Sequence, residues 1–416
     1  MHTLSLINNL ITVIFTVCYA YQFVYIAVSL FRRKKPPKKT IPGHRFAVMI
    51  CARNEETVIA DLIESIKTQT YPADKISIFI MADNCTDHTA EIARAHGAKV
   101  YTRFDKEHVG KGYALEALMC HLSEDYTDGF DGYFVFDSDN LLEPDYIEQM
   151  NNTFSEGHDL ITGYRNSKNY GSNWISAGYA LWFLRESKYL NYARDLLGTS
   201  CAISGTGFFF SRRIAEKMGC WPFHMLTEDI EFSVKQIVDG EKIAFCKDAV
   251  LYDEQPVTFR QSWQQRMRWS RGYLQVLRGY FGGLMRGIFH GSFSCFDMGM
   301  TIMPAFFLSI LSVLCNISLG IWGALIGDDI LIAVQSIGRL LGNMYFILFA
   351  IGAITTVTEW RFIRTTAKKK FLYTLTFPLF MFTYVPISIA SLFCKTKWKP
   401  IKHSVTAKQF HADSNM

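Results

Sequence analysis

Paired cysteines are missing from this sequence. Its ten cysteines stand singly from Cys18 to Cys394, with no C-x-x-C pair and no framework spacing, which favours a reducing compartment and argues against structural zinc. Small buried packing roles account for lone cysteines. A strong charge imbalance is missing too. The formal net charge of +5 is too small to argue for a nucleic-acid partner, and most of the basic excess flanks apolar runs, as it does at membrane boundaries. No G-x-x-x-x-G-K-[ST] spacing occurs, which removes a Walker loop. A secretory leader is not expected, because its basic residues would precede the apolar run and a small-residue cleavage site would follow it.

What is present falls into two unlike parts. From about Arg45 to Glu254 charged and apolar residues mix as in a soluble domain, whereas both ends hold long apolar runs; the mean hydropathy of +0.08 averages the two. Leu10 to Phe31 is nearly continuous apolar sequence, and at about 1.5 Å per residue it reaches about 33 Å, enough to cross a bilayer core. Residues 1–31 are therefore expected to form a transmembrane helix. Arg32, Arg33, Lys34, Lys35, Lys38 and Lys39 follow it, and basic residues placed there hold the next segment in the cytoplasm. Pro36, Pro37 and Pro42 make residues 32–44 a stiff basic linker.

Residues 45–255 alternate strand and helix patterns. Strands are expected at Phe46–Cys51, Ile76–Ala82, Lys99–Arg103, Gly132–Phe136 and Asp159–Gly163, and helices at Glu56–Gln69, Thr86–His96, Lys111–His121 and Pro144–Phe154. Such spacing implies βαβ units and a mainly parallel sheet buried on both faces, with a ligand crevice past the strands' carboxyl ends. Three polar clusters fall at such ends: Ala52-Arg53-Asn54-Glu55, Ala82-Asp83-Asn84 and Asp137-Ser138-Asp139. Asp83 either accepts hydrogen bonds from a nucleobase or caps the helix beginning near Thr86. Gly110-Lys111-Gly112 is either a phosphate approach with a point charge or an ordinary turn. Carboxylates as close as Asp137 and Asp139 repel unless a cation lies beside them, and a hard divalent ion whose shell a diphosphate completes is the usual partner. The plainer alternative is a solvated acidic turn.

Downstream, Thr227 is placed to cap a helix over Glu228–Val238, which puts Asp229 in the first turn, where the helix dipole favours a carboxylate. Over residues 256–295 an amphipathic, interfacial segment is expected. There Phe259, Trp263, Met267, Leu274, Leu277 and Phe281 form one apolar stripe. Gln265, Arg268 and Trp269 fall nearly opposite it, within about 100° of each other. One face can then lie in the membrane interface while the other turns toward the carboxylates of Glu228 and Asp229.

Asp83, Asp137-x-Asp139, Thr227-Glu228-Asp229 and Gln265-x-x-Arg268-Trp269, in this order between membrane helices, resemble the processive family 2 glycosyltransferases, the synthases of cellulose, chitin, hyaluronan and poly-N-acetylglucosamine. The resemblance covers about Arg45 to Arg271. It implies an α/β fold of GT-A type, a Rossmann-like mixed sheet, with flanking transmembrane helices. It also implies an inverting, UDP-sugar-dependent transferase using Mg2+ or Mn2+. The donor is then expected against Ala52, Asn54, Glu55, Asp83, Lys111, Asp137, Gln265, Arg268 and Trp269, with Asp83 on uracil and the ion on Asp137 and Asp139. Asp229 is implied as general base, with Glu228 beside it in the catalytic pair. Gly205, Thr206 and Trp269 are implied on the acceptor side; Ser204-Gly205-Thr206-Gly207 differs in wording from the cellulose synthase loop.

Phe296–Ile326, Ile330–Val357 and Phe371–Phe393 are candidate spans, giving two or three within residues 296–394 before a tail over 395–416. Gln335, Arg339 and Asn343 share a helix face and are expected to line a polymer or lipid route. Four full spans would leave Lys395, Lys397, Lys399 and Lys402 outside, against the positive-inside tendency, unless Pro378 and Pro386 turn the last segment into a re-entrant or interfacial element. The expected protein is a multi-pass cell-membrane enzyme with a cytoplasmic catalytic domain. It would extend a β-linked polysaccharide, with an accessory export subunit as a potential partner; transfer of one sugar to a membrane lipid and an inactive scaffold are the alternatives.

Overall fold

The computed structural model describes residues 2–35, 37–41, 43–302, 314–315, 318, 321, 330–394 and 403–414. Eight strands form one sheet: β1 Phe46–Ala52, β2 Ile76–Asp83, β3 Lys99–Arg103, β4 Gly132–Asp137, β5 Leu141–Leu142, β6 Leu160–Ser167, β7 Phe208–Ser211 and β8 Ile243–Asp253. Their order is β3-β2-β1-β4-β7-β6-β8-β5. The first half is parallel, and its register pairs Ala52 with Ala82 and Cys51 with Asp137. The polar residues that end these strands therefore share one edge.

The sheet is mixed, as the resemblance implies: β1, β2, β3 and β4 pair in parallel, as do β6 and β8. β7 lies antiparallel between β4 and β6, and β5 antiparallel to β8. The reason is local: Phe208 and Phe210 bury on one face of the sheet and Phe209 on the other. Gly132 opposite them leaves the space, since a Cβ there would lie 2.1 Å from the Phe209 ring. A short run buried on both faces needs no crossover helix when it returns antiparallel.

Alternation along β1 builds the two cores. Phe46, Val48 and Ile50 pack on the helix Ile59–Lys67 with its Leu62, Ile63 and Ile66. Ala47 and Met49 face the larger cluster, with Leu115 and Leu118 of the helix Lys111–Asp125 and Ile230 and Phe232 of Glu228–Val238. The interior of strand and helix alike is held by apolar burial worth about 25 cal/mol per Å2.

Long helices surround this unit. One runs His2–Phe31, and another, Phe259–Phe289, lies within the expected segment 256–295. Ile330–Thr358 is followed by Ala367–Phe382 and Tyr384–Phe393, with Thr383 at the bend between the last two. Leu341–Thr358 and Ala367–Phe393 are long and apolar enough to cross a membrane, and Val17–Phe31 is a shorter apolar helix. Most of Phe296–Ile326 and the side chain of Arg339 lie outside the described residues.

Candidate active site

A single cavity of about 770 Å3 gathers the sheet edge, the first turn of Glu228–Val238 and the helix carrying Gln265. Ala52, Glu55, Asp83, Lys111, Asp137, Asp139, Gly205, Glu228, Asp229, Gln265, Arg268 and Trp269 all line it. Two expected residues do not. Asn54 turns its backbone at φ 59° and accepts from the Thr86 N–H at 2.8 Å. Thr206 is buried, donating to Asn140 Oδ1 and accepting from the Asp137 N–H at 2.8 Å. Both shape the edge without facing the cavity.

Asp83 does not cap a helix, because the helix there begins only at Thr89. Its carboxylate instead accepts from Arg103 Nη1 at 2.7 Å and from Asn84 Nδ2 at 3.0 Å. Lys111 leans across the cavity, with Nζ donating to Asp137 Oδ1 and, at 2.7 Å, to the Gly205 carbonyl. Burial works against its charge, but Asp137 and Glu228 outweigh that and raise its pKa. Asp139 is buried and accepts from the Glu254 N–H at 2.6 Å. Burial pushes it up, but His403, Lys168, that N–H and Arg165 hold its pKa below the ordinary value.

The carboxylate pair behaves differently. Asp229 Oδ2 accepts from the Gly205 N–H at 2.6 Å. Burial raises its pKa against Lys111, Arg268 and two backbone N–H groups. Burial and the neighbouring Asp229 push Glu228 up to about 7. Thr227 does not cap this helix; among the described residues its Oγ1 is buried without a partner, pressed against the next long helix.

On that helix Arg268 Nη1 donates to the Leu226 carbonyl at 2.8 Å, which fixes it beside the pair. Trp269 stands edge-on to Tyr179 and Phe183, with ring centroids 5.7 and 6.2 Å away. Gln265 Oε1 is buried and unpartnered among the described residues. The expected apolar stripe divides. Phe259 and Phe281 are exposed, whereas Met267 and Leu274 line the cavity. Arg266 is fully buried, caged by Phe380 and Tyr384 with centroids 4.4 and 4.8 Å away.

Several lining residues had no sequence signal. Arg165 donates to Asp253 and, at 2.8 Å, to the Ser204 carbonyl. Glu186 enters from a π-helical turn, Glu186–Asn191, and accepts from Ser204 Oγ. The expected plain tail instead returns to the catalytic unit: His403 Nδ1 lies 3.0 Å from both Glu55 oxygens, and the Ser404 and Val405 N–H groups reach Glu254 at 2.8 Å. Gln335 and Asn343 are exposed and do not line the cavity, so the expected route along them is not formed by this wall.

The model for the glycosyltransferase-like family 2 matches residues 42–272. The chain belongs to this family. The glycosyltransferase is 26% identical to the probable glycosyltransferase YdaM of Bacillus subtilis over 391 residues, 87% of this chain and 85% of that one. It is 24% identical to the beta-monoglucosyldiacylglycerol synthase of Synechocystis over 248 residues, 58% of this chain and 50% of that one. It is 25% identical to the poly-beta-1,6-N-acetyl-D-glucosamine synthase of Staphylococcus aureus over 258 residues, 61% and 60% of the two chains. The match thus spans only half to three fifths of these two synthases. Among solved structures, the mannosyltransferase PcManGT of Pyrobaculum calidifontis, in complex with GDP-Man and Mn2+, shares the fold with a TM-score of 0.61 at 14% identity, covering 94% of this chain and 99% of that one.

Proposed function

We propose that the protein is a membrane-bound, divalent-metal-dependent, inverting transferase that moves a sugar from a UDP-sugar to an acceptor hydroxyl. One observation carries this reading: the strand-edge carboxylates, the Glu228–Asp229 pair and the Gln265, Arg268 and Trp269 face meet in one cavity.

Asp229 takes the proton of the acceptor hydroxyl while that oxygen attacks the anomeric carbon from the side opposite the diphosphate, and the bond from that carbon to the diphosphate oxygen breaks. A buried carboxylate with a raised pKa is the stronger base. Arg268 offers its fork to the diphosphate, and Trp269 presents an indole to the sugar. Gln265 Oε1, an acceptor without a partner, suits a sugar hydroxyl.

The donor set fits a hard ion. Nine carboxylates line the cavity against Arg53, Lys111, Arg165, Arg268 and His403. No group of three or more protein ligands encloses a metal among the described residues, so Asp137 and Asp139 would hold it with diphosphate oxygens completing the shell. Bound there, Mg2+ or Mn2+ offsets charge on the leaving group.

The contacts favour a catalytic unit and tail on the same side, and the basic run after Phe31 suits the cytoplasmic one. Tyr164 donates to Glu359 at 2.6 Å just past Ile330–Thr358, Lys369 donates to the Gly171 carbonyl at 2.7 Å, and Arg271 donates to the Cys394 carbonyl at 3.1 Å. The bent pair 367–393 thus starts against the catalytic unit and ends against the helix carrying Arg271, which suits an interfacial element that returns to the side it left.

The test is UDP release by purified membranes with each UDP-sugar. Release should require Mg2+ or Mn2+ and vanish with EDTA; release unaffected by the chelator removes the metal from the reading.

A further inference from the structure

The same cavity has a second wall of different chemistry. Leu274, Ile302, Ile347, Leu348, Phe382 and Val385 line it from four separate helical segments, two of them the stretches long and apolar enough to cross a membrane. Ile347 is 51% exposed, so this wall also meets the outside of the molecule. Thr301, which also lines the cavity, has its hydroxyl committed: it donates to the Asp297 carbonyl at 2.9 Å and accepts from Arg194 at 3.0 Å.

We infer that this wall seats the alkyl chains of the acceptor, and that the acceptor is a membrane lipid with a neutral hydroxyl-bearing head, an acylglycerol. The inference rests on the transfer reading above and deepens it.

Three observations carry it. A sugar polymer leaving along aliphatic side chains would lose water from its hydroxyls and gain no partner, whereas alkyl chains lose nothing there. Gln335 and Asn343, expected on a polymer or lipid route, are exposed and do not line this wall, which leaves it aliphatic on that side. The reacting end of the acceptor must lie at Asp229, in a cavity whose nine carboxylates outnumber its five basic side chains, and that net negative lining disfavours an anionic lipid head. The lipid would enter sideways from the bilayer with its hydroxyl leading.

The experiment uses the full-length enzyme in phosphatidylcholine vesicles with and without dioleoylglycerol, given radiolabelled UDP-sugars and metal. The expected product is a lipid carrying one sugar, extracted into organic solvent. Leu348→Trp and, from another helix, Val385→Trp should each lower the ratio of lipid transfer to acceptor-free UDP release at least tenfold, and Leu348→Ile less than twofold. Two separate helices guard against one misfolded variant. UDP release that yields only long water-soluble polymer, or ratios unchanged in both Trp variants, overturns the lipid seat and leaves the transfer reading standing. Absence of UDP release from every donor overturns both.

Discussion

Gly272 and Thr227 are in such close contact that a Cβ on the glycine would lie 2.5 Å from both Oγ1 and Cγ2 of the threonine. Two long elements meet at this point, and the threonine is the residue before Glu228 and Asp229. The glycine is thus what lets the helix of Gln265, Arg268 and Trp269 approach the carboxylate pair. Gly272→Ala should cost about 1–3 kcal/mol by overpacking and slow transfer, because either helix must move. Thr227→Ala removes both close atoms, so the double variant should recover most of the loss. Thermal unfolding in detergent and transfer rates check this; a Gly272→Ala protein that melts and turns over like wild type would break the link.

Asp229→Asn keeps shape and removes the base. Transfer should fall by about 10^2–10^4, while UDP-sugar binding, followed by calorimetry, stays close to wild type because Lys111 and Arg268 are untouched. Near-normal turnover would take Asp229 out of the mechanism.

Which parts of this site were legible follows from how far each signal travels along the chain. Lys99–Arg103 and Glu228–Val238 form with the expected ends, since a short strand run bounded by a turn and an acidic first turn are local patterns. β7 was missed because three consecutive phenylalanines lack alternation. β8 was missed because Lys247 and Asp248 interrupt its run; both are half-buried within it. Thr227 has the chemistry of a cap, yet packing against Gly272 decides its orientation. Arg266 reads as an interfacial arginine, but three aromatic rings from distant segments enclose it. Contacts of that kind leave no trace in local periodicity, and the docking of His403 on Glu55 belongs with them.

The carboxylate pair gives the activity a pH sign. Asp229 works as the anion, and burial raises its pKa, so kcat/KM should fall as pH drops from neutrality toward the acid side. Removing the neighbouring charge with Glu228→Gln should move that acid limb to lower pH. Stability moves with the opposite sense. Glu228 is raised from 4.5 to about 7, so its contribution is full below pH 4.5 and is lost as pH rises through about 7. Glu228→Gln should therefore melt higher than wild type at pH 8 and no higher at pH 4.5. An unmoved acid limb would mean that the two groups titrate independently.

His403 provides the longest-range test. Burial lowers an imidazole's pKa, but Asp139, Glu55 and Glu254 surround this one and push it up to about 10. A folded value raised above 6.5 means stabilisation that is complete below pH 6.5 and is lost as pH rises through about 10. At neutral pH the imidazolium therefore clamps the tail onto Glu55. His403→Gln leaves Glu55 buried without its cation, which should cost on the order of 3–5 kcal/mol, and Glu55→Gln should cost less when introduced second than when introduced first. Hydrogen exchange reads the clamp directly: residues 403–414 should exchange faster in His403→Gln at pH 7, and wild type should approach the variant only as pH nears 10. Equal protection of the tail in both proteins at pH 7 would show that Phe410, its ring tilted against Tyr252 with centroids 4.7 Å apart, and the backbone bonds to Glu254 hold the segment without the imidazolium.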